Sequence, residues 1–190
     1  MSKQYGTQLD DYGFELYEEN AFPLAYLITF RTFGTWLHGD ERTSIQREHD
    51  GRRRTSLVDP NKPLQEAMRN ELSQSPIIFT TEQRRIVETS IRETCEFRRY
   101  GLHAVNSRTN HCHSVISAAV RPEKIVNDLK AYLTRHLREA GEFSPDDKVW
   151  ARGASTRYLW KPLHVEAAVD YVLYSQGDLP FYLMSDVSED

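Results

Sequence analysis

The sequence predicts an α+β fold: a ferredoxin-like, RRM-like antiparallel sheet in the order β-α-β-β-α-β, with an additional C-terminal helix. Three observations predict it. Extended runs rich in β-branched and aromatic residues recur from Ala25 to Trp160. Two of them, LHAVNSR and HCHSVISAA, are parted only by Thr109-Asn110 and read as a hairpin. Two stretches of helical periodicity flank that hairpin, one on each side. The order places two helices on one face of the sheet and leaves the other face for a ligand or for the extra helix.

The elements follow in turn. Residues 1–22 carry acids and tyrosines without periodicity and read as an acidic N-terminal arm. AYLITFRT, from Ala25, is the first strand, and Gly34, Gly39 and Asp40 mark the turns after it. A basic insertion spans about 38–76, with a short helix at 64–74. Thr80 or Thr81 caps the next helix, with a stripe of Ile86, Ser90, Ile91, Thr94 and Phe97 and a stop at Gly101. After the hairpin, Pro122 opens a helix striped by Ile125, Leu129, Tyr132, Leu133, His136 and Leu137, which Gly141 ends. STRYLW is the fourth strand, and a last helix runs from about His164 to Gln176. The domain spans 23–178, and 179–190 reads as an acidic C-terminal tail.

Composition narrows the function classes. No apolar run approaches the roughly 18 residues that cross a bilayer, and the first residues lack the apolar core of a signal peptide. The expectation is a cytoplasmic protein without a membrane partner. Cys95 and Cys112 make neither a disulfide framework nor a CxxC pair, and read as small buried hydrophobes. The net charge of −4 is unevenly spread: acids crowd both ends, whereas Arg52, Arg53, Arg54, Arg84, Arg85, Arg98, Arg99 and Arg108 lie in the middle. A local basic field suffices for phosphate binding, whatever the sign of the total.

The chemistry gathers at NHCHSVIS and at the last helix. Residues two apart on a strand share a side, so His111 and His113 project together and Cys112 points away. Two such imidazoles suit a divalent metal; as a spacing alone, His-x-His is weak evidence and fits surface or capping histidines better. On the last helix Val165, Ala168, Val169 and Val172 form the apolar stripe. Tyr171 stands at its border, able to reach over the sheet, and Tyr174 faces outward.

From Ala25 to Gln176 these features resemble the HUH endonucleases, in which a strand-borne His-hydrophobic-His is followed by a helix carrying a tyrosine. NHCHSVIS and STRYLWKPLHVEAAVDYVLYSQGD carry most of the likeness, with LITFRTFGTWLHGDER adding to it. The order resembles the single-tyrosine transposases of small insertion sequences, and the REP-associated tyrosine transposases more closely still. The resemblance implies a bacterial, nucleoid-associated enzyme that acts as a monomer or homodimer on single-stranded, hairpin-bearing DNA. It implies Mg²⁺ or Mn²⁺ on His111 and His113, and Tyr171 as the nucleophile that leaves a 5′-phosphotyrosine and a free 3′-hydroxyl.

One position departs from the family pattern. The third metal ligand, usually Gln or Asn four residues after the tyrosine, is Ser175 here, and Gln176 follows. On a regular helix Gln176 turns into the apolar stripe. A bulge that re-aims Gln176, a water in its place and a decayed site are all open, and Gln176 is taken as the ligand. His164, two turns before Tyr171, is a candidate neighbour. Phosphate and base contacts are expected from Trp36, Arg52, Arg53, Arg54, Arg108, Arg152 and Arg157, since single strands are held by cations and stacking rings. Two other readings stand: a domesticated, non-catalytic DNA-binding protein, and a metal hydrolase that adds His103 to the histidine pair.

Overall fold

Strands form here where β-branched and aromatic side chains alternate, and helices where apolar ones recur every three to four residues. The computed structural model describes residues 8–9, 15–16, 22–37, 44–47, 55–58 and 60–185. In chain order the elements are β1 (Gln8–Leu9), β2 (Glu15–Leu16), β3 (Ala25–Arg31), β4 (Ser44–Arg47), β5 (Thr55–Val58), α1 (Lys62–Asn70), α2 (Thr81–Arg98), β6 (Gly101–Ser107), β7 (His111–Ser117), α3 (Pro122–Glu139), β8 (Ser155–Leu159), α4 (Pro162–Tyr174) and α5 (Phe181–Ser185). The expected order is present as β3-α2-β6-β7-α3-β8. The sheet runs β6-β7-β3-β8, antiparallel throughout. The β4–β5 pair and α1 lie in the insertion, and Arg52, Arg53 and Arg54 lie outside the described residues.

Alternation along β3 divides the interior into two layers. Tyr26, Ile28 and Phe30 face α2 and α3, where they pack with Val87, Ile91, Cys112, Ile116, Leu129 and Leu133. Ala25 and Leu27 face the other way, with Ala104, Val115 and Leu159, under Ala168 and Val172 of α4. Alanines at 25, 104 and 168 let the α4 backbone come close to the sheet. Both cysteines are buried in the first layer, as their composition suggested.

Two local expectations are corrected. Helix α2 opens on a capping box, with Thr80 Oγ1 accepting from Gln83 N and Gln83 Oε1 accepting from Thr80 N. Its buried face holds Ser90, Ile91 and Thr94 as expected, together with Arg84, Val87, Glu88 and Cys95, whereas Phe97 is 68% exposed and leans on Tyr132. The helix is turned because Arg84 and Glu88 bond the backbone of β6. Arg84 Nε donates to Ser107 O at 2.7 Å, and Glu88 Oε1 accepts from Ser107 N at 2.9 Å. Helix α2 also ends without the help of Gly101. Arg99 takes the left-handed conformation (φ 57°), Tyr100 N donates to Cys95 O, and Gly101 begins β6 against Ser117.

The chain beyond residue 178 continues in structure rather than as a bare tail. Phe181 N donates to the second oxygen of Glu88, and the Phe181 ring lies under the guanidinium groups of Arg84 and Arg85. Helix α5 is thus fastened to α2 on the β6 edge of the sheet.

Candidate active site

Register builds the site. Directly opposed residues of antiparallel strands share a face. Thr29 and Asn106 flank His113 from the two neighbouring strands, and Arg31 lies opposite His111. All five stand on the α4 side of the sheet, beyond the end of its small apolar layer. The imidazoles of His111 and His113 lie 4.6 Å apart, centroid to centroid. His111 Nδ1 donates to Asn110 Oδ1 at 2.7 Å, and His113 Nδ1 is hydrogen-bonded to Thr29 Oγ1 at 2.7 Å. Such contacts fix ring orientation and turn Nε2 toward a ligand. Burial, first, and the neighbouring His111, second, push the His113 pKa down to about 3, with Arg31 and Arg108 acting in the same sense. The ring is therefore neutral, the form that ligates metals.

Helix α4 brings Tyr171 over this pair. The Tyr171 and His113 rings meet edge to face at 5.4 Å, and Tyr171 remains 42% exposed, so its hydroxyl side is open to a large substrate. Tyr174 is 63% exposed on the outward side.

The end of α4 settles where Gln176 goes. The helix stops at Tyr174, Ser175 is its cap, and Gly177 takes φ 92°. The turn removes Gln176 from the helical phase that would have carried it into the apolar stripe. Its amide nitrogen donates back to Tyr171 O at 3.2 Å, and its side chain lies near enough to His113 to favour the charged form of that ring. Among the described residues no three His, Cys, Asp or Glu side chains are grouped to hold a metal. The donor set is two imidazoles and a carboxamide. It fits a divalent cation whose remaining ligands are water and an anionic substrate oxygen, because nothing in the set supplies negative charge.

The other expected residues divide. Arg108 bonds Asp178 through both its carboxylate (3.2 Å) and its carbonyl (3.4 Å), and lies 3.2 Å from where a Gly177 side chain would begin. It braces the turn that carries Gln176. Arg157 and His164 line a cleft that ends at Tyr171. The Trp36 ring lies 3.2 Å under the Arg31 guanidinium, beside His111. Arg152 is in the loop before β8 that Lys130 of α3 anchors by bonds to Ala151 O and Gly153 O, away from the histidines. His103 pairs with Ser117 Oγ at 2.6 Å. That places it at the far end of β7 from His111, about 20 Å away at 3.4 Å per residue, so the three-histidine hydrolase site does not assemble.

Sequence reasoning missed Arg31, Thr29, Asn106 and Asn110. The period-two alternation from Ala25 through Leu27 and Thr29 to Arg31 carried the signal for the first two, but only the strand register connects it to the histidines.

Residues 74–166 match the family described as transposase, IS200 like. The matched span holds α2, the β6–β7 hairpin with both histidines, α3, β8 and the start of α4; Tyr171 and Gln176 lie just beyond it. No curated protein matches the chain in sequence. The fold is similar to a solved structure of a REP-associated tyrosine transposase bound to a REP hairpin, at 9% identity over 83% of this chain and 70% of that one, with a TM-score of 0.45. Just under half of the chain, residues 74–166, is therefore similar to the IS200-like transposases.

Proposed function

We propose that the protein cleaves and rejoins single-stranded, hairpin-bearing DNA with Tyr171 as the nucleophile and one divalent metal, Mg²⁺ or Mn²⁺, on His111, His113 and Gln176. The observation that carries this reading is the placement of Tyr171 against His113 at 5.4 Å between ring centroids, on the α4 side of the sheet. In the step, Tyr171 Oη attacks phosphorus and the P–O3′ bond breaks. The tyrosine becomes a 5′-phosphotyrosine, and the phenolic proton ends on the released 3′-hydroxyl. Because the ester bond is exchanged for another ester, the reverse attack by a 3′-hydroxyl needs no nucleotide cofactor. A phenol with a pKa near 10 is a weak nucleophile at pH 7. The chain contributes position: the packing of α4 on the sheet holds the ring above His113. When bound, the metal polarises the scissile phosphate and offsets its growing negative charge. Arg31 and Arg108 add positive charge on the same side of the sheet.

The test is incubation of hairpin-bearing single strands with Mg²⁺ or Mn²⁺, followed by denaturing gels. A covalent protein–DNA adduct is expected, lost with EDTA and in Tyr171→Phe and kept in Tyr174→Phe. Cleavage that survives Tyr171→Phe would remove the nucleophile from this reading. Tight binding with no cleavage would favour the non-catalytic relative.

A further inference from the structure

Beside Tyr171 a cleft of about 380 Å³ opens between α4 and the strands β3 and β8. One face of α4 makes its helical wall. His164 and Tyr171 are seven residues apart, two turns, so they stand on the same side, about 10 Å apart at 1.5 Å per residue. The two positions between them on that side, three and four residues after His164, are Ala167 and Ala168, and both line the cleft. The helix therefore presents a notch: two rings as end walls and two methyl groups as floor. Leu27 and Thr29 of β3 form the opposite wall, and Arg157 of β8 brings a positive charge to the lining. Thr29 is also the hydroxyl bonded to His113, so the notch is continuous with the histidine pair.

Shape and chemistry select the occupant. The volume is at the lower end of small-ligand pockets, roughly 300–1,000 Å³. Aromatic rings contact one another at centroid separations of roughly 4.5–7 Å, so two turns of helix between the backbones of His164 and Tyr171 leave room for one planar ring between the two side chains. A flat heteroaromatic ring tied to an anionic chain is a nucleotide of a single strand. If Tyr171 attacks a phosphodiester, the two nucleotides sharing that phosphate are the ones brought to the mouth of the notch.

We propose that this notch is a base-binding subsite, which takes the unpaired base of one nucleotide flanking the scissile phosphate between His164 and Tyr171, over Ala167 and Ala168. The inference rests on the reading of Tyr171 given above, and it adds a site of sequence or geometry selection at the point of cleavage. Stacking of this kind is tolerant of base identity. The small floor residues set how large a ring is admitted.

Ala167→Leu tests it, because position 167 is exposed and a longer side chain there fills the notch without entering the core. His164→Ala, which removes an end wall, is the second variant. Three strands are compared: the intact substrate, and two versions with an abasic residue on either side of the mapped cleavage position. On intact DNA, Ala167→Leu is expected to raise the half-saturating DNA concentration about tenfold. On one of the two abasic strands, wild type is expected to fall to the level of the variant, and the difference between them to vanish. Wild-type activity on intact DNA that Ala167→Leu leaves unchanged, or a loss equal on all three strands, would overturn the subsite. Fluorescence anisotropy on the same strands reads binding without cleavage. If wild type forms no adduct but Ala167→Leu still separates intact from abasic DNA, the role of Tyr171 fails and the base pocket stands. If all strands bind alike, the pocket fails.

Discussion

Gln176 donates to Tyr171 O of the preceding helix and lies beside His113 of the sheet, next to the metal position proposed on the two imidazoles. It is the only one of the three proposed ligands not held by a strand. A carboxamide brings a weak neutral oxygen, so a set of two imidazoles and an amide binds hard cations poorly until an anionic substrate adds its oxygen. This makes a residue-scale prediction. Gln176→Glu adds the missing negative charge and is expected to tighten Mn²⁺ binding to the DNA-free protein by about tenfold or more, since ligand charge count tunes affinity at such sites. Isothermal titration with Mn²⁺ checks it, and an unchanged affinity would put residue 176 outside the ligand set. At this scale the sequence was legible for His111, His113 and Tyr171, because strand and helix periodicity alone orient them. It named Gln176 as the third ligand without fixing its direction. Its direction depends on where α4 stops, and no proline or glycine marks Tyr174 as the last helical residue; Gly177 comes only after the glutamine has turned.

That turn between α4 and α5 is held from outside by β6 and α2. Asn106, fully buried beside His113 on the sheet, donates through Nδ2 to Val172 O at 3.1 Å and to Asp178 O at 3.2 Å. It thus bridges the last turn of α4 and the residue two beyond Gln176. Arg108 grips Asp178, and Glu88 receives Phe181 N. Removing the Asn106 amide leaves two carbonyl oxygens without this donor. Asn106→Ala is therefore expected to cost about 1–3 kcal/mol of stability. Adduct formation should fall further than the loss of folded protein explains, and higher Mn²⁺ should restore part of it. Urea melts and adduct yields at two Mn²⁺ concentrations make the comparison; adduct formation that tracks folded protein alone would leave Asn106 a purely structural residue. The same network explains why the pattern of α2 placed Ser90, Ile91 and Thr94 on the buried face and Phe97 wrongly with them. A stripe drawn through to Phe97 assumes that charged residues face water, but Arg84 and Glu88 are buried because the β6 backbone needs partners at its outer edge. Buried charge that pairs across elements leaves no periodic trace in a single sequence.

Across the whole molecule, strand order was the most legible feature. A β-α-β-β-α-β order with a two-residue hairpin turn allows few antiparallel arrangements, and the one adopted sets β7 and β3 side by side at the centre. It puts α2 and α3 on one face and leaves the other to α4, whose Ala168 and Val172 close over Ala25, Ala104, Val115 and Leu159. Helix α4 follows β8 through a single junction at Trp160 and Lys161, and it lies on its own sheet. Tyr171 therefore meets His113 of the same chain, and one chain brings together every residue proposed for the metal and for the attack. A site shared between two copies would need α4 to leave this packing and give up the burial of Val172. Mixing variants decides between the two arrangements. Tyr171→Phe and His113→Ala, each inactive alone, are expected to stay inactive when combined, because each chain lacks one part of its own site. In a shared site every mixed dimer, half of all dimers after free exchange, would rebuild one intact centre, and adducts would return at a sizeable fraction of the wild-type yield. Adduct formation by wild type in proportion to protein concentration, down to the limit of detection, is the companion result expected of a chain that acts alone.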